Sequence, residues 1–150
     1  MTQRSAAATE VARGLWARAA GDTSSPEEVA AAAERTCTQL REGLGRWVGT
    51  MGYRALLDRA LALARAEHPA LRSLSCGGSE PVTTADVRSE GAAEVAAGMV
   101  ALVAALVELL GRIIGEEMAL RLVEQTGIHS ERERGKEGKR VTEPARSREH

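Results

Sequence analysis

The hydrophobic positions of this chain fall at helical spacing in successive segments separated by polar or glycine-rich breaks. Val11, Leu15, Trp16 and Ala19 share one side of a helix over residues 9–20, with Arg13 and Arg18 off it. That pattern predicts a short amphipathic helix ended by Gly21 and followed by a polar loop over residues 22–25. Alone such a helix is marginal, so it must dock. Ser25-Pro26-Glu27-Glu28 then gives a strong start signal: a capping serine, proline at the first helical position and glutamate three residues after the cap. The helix should run from Pro26 towards Val48, with an end made ragged by Gly43, Gly45, Gly49 and Gly52. A third helix is expected over residues 53–67, its apolar face made of Leu56, Leu57, Ala60, Leu61 and Ala64. His68-Pro69 stops it, because the residue before proline is pushed out of the helical region. Serines, glycines and Pro81 predict a surface loop over residues 69–82, and Thr83 or Thr84 caps the next helix.

After an interruption at Gly91, residues 92–125 read as helix, and between Val95 and Leu110 the only charge is Glu108. So apolar a stretch must be covered by the rest of the chain, a second copy, a partner or lipid. A straight helix of that length would extend about 50 Å, whereas a domain of about 100 residues measures roughly 35 Å across. It must therefore break, overhang or be completed by another subunit. Gly111 and Gly115 are the natural breaking points. They also form a G-x-x-x-G pattern, as do Gly45 and Gly49, and such strips let helix backbones approach closely. Tight packing within one bundle is the first reading of both strips, and a homodimer interface at Gly45, Gly49, Gly111 and Gly115 is the second. A membrane span is not expected. The uncharged run 95–107 is shorter than the roughly 20 residues a bilayer demands, and extending it takes in Glu108 and Arg112.

Composition narrows the picture. The chain has 150 residues, no Phe, one Tyr and two Trp, so its core must pack on Ala and Leu, the best helix formers. A net charge of −1 and few aromatic platforms argue against nucleic acid. Lys136 and Lys139 are the only lysines, and arginine supplies every earlier positive side chain. Cys37 and Cys76 lack metal spacing and read as two reduced, partly buried residues of a cytoplasmic protein. The N-terminus has no continuous apolar stretch of the signal-peptide kind. Arginines dominate residues 34–72 and acids dominate residues 80–124, which favours packing these two regions together. The whole reads as all-α: a compact bundle of about four to five helices around an apolar C-terminal helix. Residues 1–9 should be flexible, 10–126 a single helical domain, and the charged tail 127–150 disordered.

No catalytic set emerges. Glu108, Arg112 and Glu116, like Glu117 and Arg121, are spaced for ion pairs along one helix face. A carboxylate metal site in a bundle would add Glu-x-x-His, which is missing, so neither metal nor cofactor is expected. His68 fits a helix C-cap better than a general base, and no nucleophile has a visible base. Trp47 and Tyr53 flank the glycine-rich turn, and with Glu108 they are the candidate lining of a small pocket between helices.

The pieces Gly52-Tyr53-Arg54-Ala55-Leu56-Leu57-Asp58-Arg59-Ala60-Leu61, His68-Pro69-Ala70-Leu71 and Ile114-Gly115-Glu116…Leu120-Arg121-Leu122-Val123 resemble small bacterial helical proteins without an assigned activity. The resemblance covers the middle and C-terminal helices. It implies a helical fold in a bacterial cytoplasm and supplies no site residues. The sequence thus points to a non-enzymatic helical interaction or regulatory adaptor protein that self-associates or docks a protein partner. A small-ligand sensor with a pocket between helices is the alternative.

Overall fold

The computed structural model of the chain describes residues 6–20, 25–72 and 84–126. Helix α1 spans Ala6–Ala20, α2 Pro26–Glu67, α3 Thr84–Glu90 and α4 Ala92–Ile114, and a last helix, α5, covers residues 116–126. A 3-10 turn over Pro69–Leu71 follows α2. No strand occurs among the described residues. The fold is all-α. The expected loop at 22–25 apart from Ser25, residues 73–82 of the expected surface loop 69–82, and the expected tail at 127–150 lie outside the described residues. The first residues of the 69–82 loop instead form the 3-10 turn, with Ala70 and Leu71 buried.

Local chemistry sets several boundaries. Ser25 has extended backbone angles and its side chain accepts a hydrogen bond from the Glu28 N–H at 3.3 Å, with Pro26 opening α2 behind it. At the other end His68 is the C-cap, and its N–H reaches the Ala64 carbonyl at 2.7 Å. Helix α1 starts at Ala6, three residues ahead of the expected Thr9, because the run Ala6-Ala7-Ala8 extends the helix backwards. The guanidinium of Arg35 donates to the carbonyl of Ala19 at 2.6 Å, closing the C-terminal end of α1.

The two helices expected over residues 26–48 and 53–67 are joined across a single non-helical residue, Gly49, with φ 80° and ψ 162°. Straight, the 42 residues of α2 would span about 63 Å. Instead Glu27, near its start, bonds to Arg88, and Leu71, just past its end, packs on Gly98. Arg88 and Gly98 flank the α3–α4 junction, so both ends of α2 lie beside the beginning of α4. The helix therefore folds back at Gly49 into two arms, 26–48 and 50–67. The first arm runs alongside α4, the second returns against it, and α1 packs on both α2 and α4.

Helix α4 is the centre of this bundle. Val95, Met99, Leu102, Val103, Leu106, Val107 and Leu110 are all buried to 1% exposure or less. Each such side chain contributes about 1.5–3 kcal/mol by leaving water. The cover the sequence demanded thus comes from the chain's own α1 and α2. The helix does meet the length and composition of a membrane span, contrary to the short uncharged run counted from sequence, but 67% of that stretch is buried in the bundle. The predicted break falls at Gly115, with φ 97° and ψ 145°. Its N–H bonds to Gly111 and its carbonyl accepts from Ala119, so one residue closes α4 and opens α5. Helix α5 then folds back until Thr126 covers Gly43 so closely that no side chain fits there.

Candidate interaction surface

The first arm of α2 and α4 both rise from the Glu27–Arg88 end of the bundle and have similar length, 26–48 against Ala92–Ile114. Their terminal bends at Gly49 and Gly115 consequently sit at the same, opposite end. Large apolar side chains collect there in solvent. Trp47 is 67% exposed and Met51 86%, on either side of Gly49, while Ile113 is 64%, Ile114 37% and Met118 47% around Gly115. Leu63, also exposed, lies apart on the second arm. The other five all lie within three positions of a glycine at which a helix breaks. Patches of this kind on a folded surface mark sites of association.

Charge around the patch is divided. Residues 41–59, around the α2 bend, carry Arg41, Arg46, Arg54 and Arg59 against Glu42 and Asp58. Residues 108–124, around the α4–α5 bend, carry Glu108, Glu116, Glu117 and Glu124 against Arg112 and Arg121. Arg121 bonds Glu117 one turn back at 2.9 Å, the i,i+4 spacing read from the sequence.

The proposed pocket residues differ in exposure. Trp47 faces solvent, Tyr53 is buried to 3%, and Glu108 is half-buried on α4. The hydroxyl of Tyr53 is buried without a hydrogen-bond partner. Burial pushes its pKa up to about 12, opposed by the positive charge of Arg41 on the first arm. A cleft of about 510 Å³ lies elsewhere, between α1 and α5, with Val11, Leu15 and Leu120 in its wall. None of the three proposed residues lines it. The glycine strips also resolve differently from their reading as flat helix faces. Gly49 and Gly115 break their helices, Gly45 has open space where a side chain would stand, and Gly111 lies against the α5 backbone at Glu116.

Cys37 corrects a further expectation. It is buried to 2% and disulfide-bonded rather than reduced. The exposed residues Met51, Ile113, Ile114 and Met118 were missed as candidates. Their signal was present as large apolar residues within three positions of a glycine that ends a helix, but which glycine does so is not written in the sequence. No group of three or more metal-ligating side chains occurs among the described residues. Comparison with family models, curated proteins and solved structures gives no match for this chain.

Proposed function

We propose that this chain is a non-enzymatic helical interaction protein that self-associates, with the end of the bundle at Gly49 and Gly115 as the contact. The observation that carries the reading is the exposure of Trp47, Met51 and Ile113 together at that end. A second copy is the favoured occupant because the patch is self-complementary. Under a two-fold axis the arginine-rich α2 bend of one copy meets the acid-rich α4–α5 bend of the other, while the apolar side chains face each other. Trp is the residue type most enriched at contact centres, and Met adapts to an irregular partner surface. In this reading Gly49 and Gly115 serve the interface through the bends that expose their neighbours, while Gly45 and Gly111 stay helical and make no bend.

Fluorescence tests it. In a Trp16→Phe variant, Trp47 is the only indole. Its emission should move to shorter wavelength as protein concentration rises and water leaves the ring. Emission that stays at the solvent-exposed position over the whole range overturns the proposal.

A further inference from the structure

The cleft between α1 and α5 lies on a different part of the surface and is lined by chemistry of its own. Its lining joins the apolar Val11, Leu15 and Leu120 to the exposed, charged Glu10, Glu124 and Arg18. The volume, about 510 Å³, is in the range that takes a small organic molecule. No ion pair or hydrogen bond engages the side chains of these three charged residues among the described residues, so the lining presents two carboxylates against one guanidinium.

Gly14 makes the cleft more than an accident of packing. It sits in the middle of α1, in helical conformation, and lines the cleft. Nothing lies within 4 Å of where its Cβ would be. No turn, close approach or unusual backbone angle calls for glycine there. Glycine inside a helix lowers stability relative to alanine, and α1 is short enough to feel it. What the missing side chain does provide is room between Val11 and Arg18. We infer that the α1–α5 cleft binds a small amphipathic organic cation, its apolar body on Val11, Leu15 and Leu120 and its positive head between Glu10 and Glu124, with Gly14 keeping the space open.

The test uses the full chain and three eight-carbon compounds below their micelle concentrations: octyltrimethylammonium, octyl sulfate and 1-octanol. Amide shifts of Gly14 and Leu120 follow binding. Octyltrimethylammonium should shift both saturably, with at least fivefold tighter binding than the anion or the alcohol. Glu10→Gln and Glu124→Gln should each weaken the cation about two- to fivefold, as expected for exposed charges. Gly14→Ala should raise the melting temperature and weaken binding; Gly14→Leu, folded by circular dichroism, should abolish it. Equal binding of octyl sulfate or octanol, no saturable shift with the cation, or unchanged binding in a folded Gly14→Leu or Gly14→Ala variant overturns the inference.

Discussion

The side chain of Leu71 occupies the space that a side chain at position 98 would need. A Cβ on Gly98 would stand 2.7 Å from the Leu71 Cγ and 2.8 Å from one of its methyl carbons. Leu71 is itself fully buried, so it has little room to give way. This contact pins the end of the returning α2 arm to the apolar helix α4 and makes the fold-back of α2 more than a local kink. Gly98→Ala should therefore destabilise the protein by about 1–3 kcal/mol through overpacking. Leu71→Ala should cost about 2–5 kcal/mol through the cavity it leaves. Urea unfolding of the double variant should show a loss smaller than the sum of the two.

One glycine pair separates bend from strip. Gly45 and Gly49 stand four residues apart in α2 and look alike in sequence. Gly45 is helical with nothing near its missing side chain, so Gly45→Ala should stabilise by about 0.5–1 kcal/mol. Gly49, at φ 80°, holds angles that side-chain-bearing residues rarely adopt, so Gly49→Ala should destabilise by about 1–3 kcal/mol. Equilibrium unfolding of the two variants reads the difference directly. Effects of the same sign would mean that α2 does not bend there.

That pair also shows where the sequence stops being legible. Ser25 and His68 were readable as helix ends because their chemistry acts locally: a hydroxyl caps a nearby N–H, and a residue before proline leaves the helical region. The apolar run of α4 was readable as a helix that must be covered because its few charges leave little of it able to face water, while the identity of the cover was not legible. Gly49, Gly91 and Gly115 were less so. Among the described residues these are the glycines with positive φ, while Gly14, Gly43, Gly45, Gly52, Gly98 and Gly111 stay helical. Which glycine bends is decided by tertiary contacts such as Leu71 on Gly98 and Thr126 on Gly43, and the exposed patch follows from the bends. The cleft beside Gly14 depends on α5 folding back, a second consequence of Gly115.

Tyr53 gives a pH signature. Its folded pKa, about 12, lies above the ordinary value of 10, so the folded state holds the phenolic proton more tightly than the unfolded chain. The stability this contributes is fully present below pH 10 and lost as pH rises towards 12, about 2–3 kcal/mol in all. Tyr53→Phe should remove that alkaline loss. Because the hydroxyl is buried and unpartnered, the substitution should be neutral or stabilising at pH 7. Chemical unfolding of both proteins between pH 8 and 11 tests the sign.

The bond at Cys37 predicts a redox dependence. The sequence holds one other cysteine, Cys76, so peptide mapping without reductant should recover a linked Cys37–Cys76 pair. A cross-link closing a loop of that size should stabilise by about 4 kcal/mol in the chain-entropy account. Reduction should lower the urea midpoint correspondingly. A bond that persists in cells would favour an oxidising compartment over the cytoplasm expected from the sequence.

Sedimentation equilibrium tests self-association through the apolar end most directly. The wild-type chain should show a concentration-dependent rise from 15.9 kDa towards twice that mass. Trp47→Ser and Ile113→Ser replace exposed side chains, so both variants should stay folded yet remain at the single-chain mass. A wild-type protein that stays monomeric at the highest concentration reached, or variants that dimerise as the wild type does, would contradict the account.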